Sequence, residues 1–223
     1  MTNKVKLVFF DMDGVIFEAA SVWAMLNKSF GPEGHEWDKK GKQMWADGNF
    51  KTYIHWAEHD LNFYKTKGLT MKVFYDMIHN IPYTKGAHET FEKLQEKGIK
   101  TVVISGGFKN QANRAIRDLK ISHVFAACEI FFDEKTEKIS HWNLMPCDFE
   151  GKVDFMRLMI REYKLKPEDC AFVGDGYNDK FLAKEVCLSI AFNAHKDLQE
   201  VCTHSINQPE GQKDLREILQ FLI

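Results

Sequence analysis

Lys6-Leu7-Val8-Phe9-Phe10-Asp11-Met12-Asp13-Gly14-Val15-Ile16 begins as an apolar run and stops at two carboxylates one residue apart. Apart from Lys6, residues 5–10 are aliphatic, β-branched and aromatic, the composition of a strand buried on both faces of a parallel sheet. A charge has no place inside such a strand. Asp11 and Asp13 therefore belong where the chain leaves the sheet, at the carboxyl end of the strand, the edge at which open α/β sheets hold their ligands. Gly14 permits a sharp turn or a close backbone approach. Two acids held together repel unless a cation neutralises them, which points to a hard divalent metal. A solvated turn is the plainer alternative, because Asp and Gly are ordinary turn residues. The rest of the chain decides between the two.

Downstream, an α/β rhythm resumes after a long interruption. Residues 87–97 read as a helix closed by Gly98, and 100–104 as a second buried strand ending in Ser105-Gly106-Gly107. A helix over 108–119 follows, then a hairpin of 129–132 with 138–142 at a sheet edge. A helix over 152–163 leads to a third strand, 171–173, which ends in Gly174-Asp175-Gly176-Tyr177-Asn178-Asp179. A helix through Leu182 and Ala183, strands at 188–192 and 204–206, a short helix after His195 and a last helix over 214–221 complete the pattern. Alternating strands and helices specify an α/β fold with a doubly wound, mostly parallel sheet. Between residues 18 and 82 no convincing strand occurs. Helical spacing runs through Val22, Met25, Leu26 and Phe30, breaks at a stretch bearing Gly31, Pro32, Gly34, Gly41 and Gly48, and returns over 50–81.

Bulk composition narrows the function classes. The 223 residues are 44% hydrophobic and 28% charged, a globular balance. With 30 basic and 32 acidic residues the net charge is −2, so nothing suggests a nucleic-acid partner or an anionic membrane. The apolar stretches are far shorter than a membrane span, and no secretory segment leads into the first strand, so a soluble cytoplasmic protein acting on a small molecule is expected. Five cysteines without a Cys-x-x-Cys pair argue against a disulfide framework or a thiolate zinc site.

Three predicted strands now end in polar, Gly-flanked groups. A parallel sheet brings such ends to one edge, so groups distant in sequence can converge. Asp11, Asp175 and the backbone carbonyl of Asp13 can supply oxygen ligands to Mg²⁺, with Asp179 bracing the site. A phosphate bridging that metal needs donors: the Ser105 hydroxyl, backbone N–H groups around Gly106 and Gly14, and a lysine, for which Lys152 is best placed. One aspartate can then attack phosphorus while a second protonates the leaving alcohol and activates water. Asp11 suits the nucleophile and Asp13 the acid/base, although spacing alone does not decide between them.

Asp11-x-Asp13-Gly14-Val15, Ser105-Gly106-Gly107, Lys152 and Gly174-Asp175-Gly176-x-Asn178-Asp179 resemble, in order, the four motifs of the haloacid-dehalogenase-like phosphatase superfamily. Ile104 to Phe108 and the Asp214-Leu215-Arg216-Glu217-Ile218-Leu219 ending resemble its phosphoserine phosphatase branch in particular. The resemblance implies a Mg²⁺-dependent phosphomonoesterase with a Rossmann-like core over 1–17 and 83–223 and a small helical cap over 18–82. It implies Asp11 as nucleophile through an aspartyl-phosphate, Asp13 as general acid/base, Ser105 and Lys152 as phosphate binders, and Asp175 as metal ligand supported by Asp179.

Substrate reading departs from that branch. Its acid after the first motif and its cap arginine, which read the amino acid, are missing: Ala20 takes the acid's place with only Glu18 nearby, and 18–82 holds no arginine. His55, beside Trp56, falls near the arginine's position. The segment carries Trp23, Trp37, Trp45 and Trp56 with Phe50, Tyr53, Phe63 and Tyr64, expected to form the cap's own core or, alternatively, a pocket for a bulkier leaving group. The substrate is therefore expected to be a small phosphorylated metabolite, with phosphoserine a poor fit because the serine-reading residues are missing.

Competing readings are a phosphotransferase or mutase of the same fold, a phospho-accepting signalling domain, and a silent binding protein. A zinc peptidase is a further one, because His55-Trp56-Ala57-Glu58-His59 matches an H-x-x-E-H pattern. That last reading leaves Asp11, Ser105, Lys152 and Asp175 without roles.

Overall fold

The computed structural model describes residues 5–209 and 211–223. Its centre is the opening strand, β1 (Leu7–Phe10), all four residues of which are buried. The period-2 geometry of a strand explains why the whole run is apolar. Leu7 and Phe9 enter a core on one face of the sheet, Val8 and Phe10 a second core on the other. Neither face is left for a polar side chain.

Five helices precede the next strand, the first four being α1 (Val22–Ser29), α2 (Gly31–Ala46), α3 (Tyr53–Thr66) and α4 (Met71–Asn80). Local chemistry starts three of them. The hydroxyls of Ser21, Thr52 and Thr70 accept from the N–H groups of Ala24, His55 and Val73, satisfying donors that a helix start leaves free. The glycine-rich stretch, read above as a break in helical spacing, forms the sixteen-residue α2 instead. Pro32 is tolerated in its first turn. Gly34 is a packing device: a Cβ there would lie 1.8 Å from the carbonyl oxygen of Asn27, so only glycine lets α2 turn back so tightly on α1.

The remaining elements are α5 (Ala87–Glu96), β2 (Lys100–Phe108), α6 (Lys109–Leu119), β3 (His123–Phe132), β4 (Ile139–Leu144), α7 (Gly151–Glu162), β5 (Cys170–Gly174), α8 (Lys180–Ala183), β6 (Leu188–Phe192), α9 (Lys196–Gln199), β7 (His204–Ile206) and α10 (Leu219–Leu222). They build a seven-stranded sheet in the order β4-β3-β2-β1-β5-β6-β7, parallel except for β4. This is the doubly wound α/β architecture expected, and helices cover both faces. Strand order reverses at β1, between β2 on one side and β5 on the other. That reversal opens the crevice in which such sheets place ligands.

Two strands differ from their sequence expectation. Ser105, Gly106 and Gly107 do not end β2 but continue it to Phe108, with an irregular register between Ser105 and Phe108. A bulge of this kind re-aims side chains beside a site without ending the strand. β3 begins at His123, not 129, because its first half pairs in parallel with β2 before its second half pairs with β4. Periodicity marked only the hairpin half. The last helix is likewise split, with a 3₁₀ turn at Leu215–Ile218 preceding α10. Among the described residues no helix is long and apolar enough to cross a membrane.

Candidate active site

Asp11 and Asp13 follow β1 directly, Ser105 lies in β2, and Asp175 follows β5, so three adjacent strands deliver them to one edge. They line one cavity of about 180 Å³ together with Gly106, Gly107, Asp148 and Asn178. Convergence on one cavity is the property that separates this arrangement from four unrelated turns.

The centre of the charge network is Lys152, in the first turn of α7 and fully buried. Its Nζ donates to Asp11 Oδ1 at 2.8 Å and to Asp179 Oδ1 at 2.7 Å, with Asp148 Oδ1 3.9 Å away. Burial alone would drive the ammonium to lose its proton, but Asp11, Asp179 and Asp148 together outweigh it and hold the lysine charged. Asp179, with no exposed surface, uses its other oxygen to accept from the N–H groups of Asp175 and Gly176, both at 3.1 Å. Both of its oxygens are thus occupied, Oδ1 by Lys152 and Oδ2 by the turn that carries Asp175.

One cation does not balance this many acids. Burial first, then the charge of Asp179, pushes the Asp11 carboxyl well above its usual range, and burial with Asp179 pushes Asp175 up to about 8. Carboxylate oxygens of Asp11, Asp175 and Asp179 lie within 4.8 Å of one another. A cluster of hard oxygen donors carrying surplus negative charge fits a divalent cation of the Mg²⁺ type. The Asp13 carboxylate is not part of that cluster.

Asp13 is set up differently. Its Oδ2 accepts from the N–H of Val22 at 3.0 Å, while Oδ1 is buried without a hydrogen-bond partner. Burial raises this carboxyl to about 6, against a lowering contribution from the Val22 N–H. A carboxyl held by one oxygen and free at the other, with an affinity for protons near neutrality, has the character of a proton donor and acceptor. Ser105 is buried, and its Oγ accepts from the N–H of Gly107 at 2.9 Å, which fixes its direction.

Gly14 has a different part from the one expected. Its N–H already donates to the carbonyl of Phe17 at 3.0 Å and is not free for an anion. What it provides is room: φ is +77°, and a Cβ would sit 1.9 Å from Asp175 Oδ2. Its carbonyl takes Lys213 Nζ at 3.1 Å, a lysine that the motif pattern did not single out.

Of the three positions singled out for substrate reading, Glu18 and His55 are exposed and line neither this cavity nor the adjoining one. Trp56 does line the adjoining cavity, with Trp23 and Tyr53. Ala20 lines the catalytic cavity and brings no charge to it. The aromatic segment therefore divides. Trp37 stacks on Phe63 and His59 inside the helical insertion, while Trp23, Tyr53 and Trp56 face a cavity. His55 and Glu58 are exposed and His59 pairs with Asp60, so the H-x-x-E-H helix gathers no ligand set. Sequence reasoning missed Asp148, whose signal was an acid four residues before Lys152, and missed the two donors that meet on Gly106: Trp23 Nε1 at 2.9 Å and the Tyr53 hydroxyl at 2.5 Å.

A family model described as haloacid dehalogenase-like hydrolase matches residues 5–186. The chain is 29% identical to a phosphoserine phosphatase of Archaeoglobus fulgidus over 97% of its own length and 60% of that protein's. It is 26% identical to a phosphoserine phosphatase of Methanocaldococcus jannaschii over the full length of both. A solved structure titled as a phospho-aspartyl intermediate analogue of phosphoserine phosphatase superposes with a TM-score of 0.80, covering 98% of this chain and 99% of that one; at 24% identity this likeness bears on the fold.

Proposed function

Because the chain belongs to the haloacid dehalogenase-like hydrolase family and is phosphoserine-phosphatase-like within it, we propose that it hydrolyses a small phosphate monoester with a divalent metal, most fittingly Mg²⁺, through an aspartyl-phosphate, an acyl phosphate, on Asp11. The observation that carries this reading is the shared cavity, into which Asp11, Asp13, Ser105 and Asp175 all open.

Asp11 is the attacking group. Its Oδ1 is held by Lys152, which leaves the second oxygen for phosphorus and fixes the line of attack. The Asp13 carboxyl, raised to about 6 by burial, gives its proton to the departing alkoxide. Once the alcohol has left, the same carboxyl takes a proton from the incoming water, whose attack on phosphorus releases inorganic phosphate and restores Asp11. Ser105 and Lys152 supply a hydroxyl and a positive charge to the phosphoryl oxygens, in a cavity where such fixed groups need little reorganisation. Asp11, Asp175 and the backbone carbonyl of Asp13 would hold the metal, braced by Asp179, and when bound it neutralises phosphoryl charge as a Lewis acid.

Turnover of p-nitrophenyl phosphate by the purified chain, with and without Mg²⁺, tests the proposal. Metal-dependent release of p-nitrophenol is expected. Folded protein that gives none under any divalent cation would overturn it.

A further inference from the structure

A second cavity, of about 200 Å³, adjoins the catalytic one and shares Ser21, Trp23 and Asp148 with it. A leaving group attached to phosphorus in the first has its exit path into the second. Aromatic carbon dominates one part of its wall, from Trp23, Tyr53, Trp56 and Phe149. The polar ends of Trp23 and Tyr53 are already committed to the carbonyl of Gly106, so both residues offer the cavity ring surface.

The rest of the wall is acidic. Asp38, Asp60 and Asp148 face Lys42, the one basic lining residue among the described residues, which leaves a surplus of two negative charges. Lys42 is not free to receive an anion, because its Nζ lies 2.6 Å from Asp38 Oδ2. The Asp60 side chain is 6% exposed and that of Asp148 9%. Each uses one oxygen only. Asp60 Oδ1 accepts from Trp37 Nε1 at 3.0 Å and faces His59 Nδ1 at 3.3 Å. Asp148 Oδ1 accepts from Phe149 N at 2.9 Å and Asn178 Nδ2 at 2.6 Å. Asp148 Oδ2 has no donor among the described residues, and the Asn27 side chain beside Asp60 already donates to Asp38 Oδ1 at 3.3 Å. Buried carboxylates are costly unless they are paired, and two such carboxylates beside aromatic faces are the features of a site for an organic cation.

We propose that this second cavity binds the leaving group of the substrate and that the leaving group is a small ammonium alcohol, from primary amine to quaternary ammonium, carrying no carboxylate. The inference rests on the phosphatase reading above and names its substrate class. A carboxylate on the same alcohol would meet three acids and no available cation; residues 18–82 contain no arginine to receive it. An uncharged alcohol would leave the surplus negative charge unpaired. The ammonium group instead meets Asp148 at the junction of the two cavities and Asp60 deeper in, with the rings of Trp23 and Trp56 along its sides.

Matched esters test this in the full chain with Mg²⁺: 2-aminoethyl phosphate against propyl phosphate, and 2-(trimethylammonio)ethyl phosphate against 3,3-dimethylbutyl phosphate, with phosphoserine and p-nitrophenyl phosphate alongside. In at least one pair the cationic ester is expected to exceed its uncharged match by tenfold or more in kcat/KM, and to exceed phosphoserine as well. Equal or reversed ratios in both pairs, or a preference for phosphoserine, would overturn the subsite while p-nitrophenyl phosphate turnover left the phosphatase reading standing. Loss of p-nitrophenyl phosphate turnover would overturn both. Asp60→Asn should reduce the cation-to-neutral ratio by tenfold or more, mostly through KM, and an unchanged ratio in a folded variant would count against the proposal. The wild-type ratios decide the matter should that variant fail to fold.

Discussion

Replacing Lys152 by methionine separates charge from shape, since methionine keeps an unbranched side chain of similar reach and removes the ammonium. In the native protein that ammonium lies 2.8 Å from Asp11 and 2.7 Å from Asp179, with none of its side chain exposed. Taking one partner out of a buried ion pair leaves uncompensated charge and costs about 3–5 kcal/mol. For a protein of this size each kcal/mol moves the melting temperature by roughly 2–4 °C, so a fall of about 6–20 °C is expected in the presence of EDTA. Mg²⁺ should restore part of it by supplying positive charge to the same acids. The deficit should also shrink as pH falls. Without Lys152, which lowers the Asp11 carboxyl, the folded variant binds a proton at Asp11 more readily than the wild type does, so its stability relative to wild type rises on acidification. In steady-state assays of the metal-loaded variant, kcat should fall by about 10²–10³-fold, as on losing one fixed charge stabiliser. Paired melting curves at pH 8 and pH 5.5 with kinetics on p-nitrophenyl phosphate make the measurement. A melting temperature within about 2 °C of wild type, or a kcat within tenfold, would refute the view that Lys152 holds the acid cluster together and serves the reaction.

Asp11→Asn should abolish turnover while leaving the far-ultraviolet circular dichroism unchanged, because an amide cannot form the acyl phosphate; near-normal rates would remove Asp11 from the nucleophile's role. Gly14→Ala places a methyl group 1.9 Å from Asp175 Oδ2 on a left-handed backbone, so the variant should bind Mg²⁺ at least tenfold more weakly by calorimetry, and unchanged affinity would contradict the packing described. Asp214, bonded to Arg216 and held down at about 2 first by that guanidinium, has a folded pKa below its unfolded value of 3.8. Its contribution, about 1 kcal/mol after solvent screening, is therefore complete above about pH 4 and lost as pH falls through about 2. Urea titrations of Asp214→Asn should show that difference from wild type at pH 7 and its disappearance near pH 2.

The core was legible because its signals are local. An unbroken apolar run, ended by a charge, declares a strand buried on both faces and its carboxyl end at once, and Leu7 to Asp13 does this within seven residues. Asp11, Asp13 and Asp175 were legible for the same reason, since each follows a strand that could be recognised by itself, whereas Asp148 follows no such strand. Gly14 shows the limit of that logic. Its glycine was readable as a special backbone position, but whether the need was for an N–H or for space depended on Asp175, which lies far along the chain. The α2 helix shows another limit. Glycines that weaken a helix in isolation are required where its neighbour Asn27 comes within contact, and helix propensity carries no information about that neighbour.

The leaving-group cavity was the least legible part because it is made entirely of long-range relations. Trp23 and Tyr53 lie 83 and 53 residues from Gly106, yet both donate to the one carbonyl that follows Ser105 in β2. That carbonyl joins the helical insertion to the turn expected to hold phosphate. Asp148 closes the arrangement from the opposite side: a Cβ on Gly106 would lie 2.2 Å from its Oδ2, so the acid can reach the junction of the two cavities only because residue 106 is glycine. Gly106 thereby serves two purposes in a single backbone unit, an acceptor on one side and an open path on the other. Through those two bonds α1 and α3 rest on β2, so the wall proposed to receive the alcohol and the strand proposed to hold the phosphate share one contact.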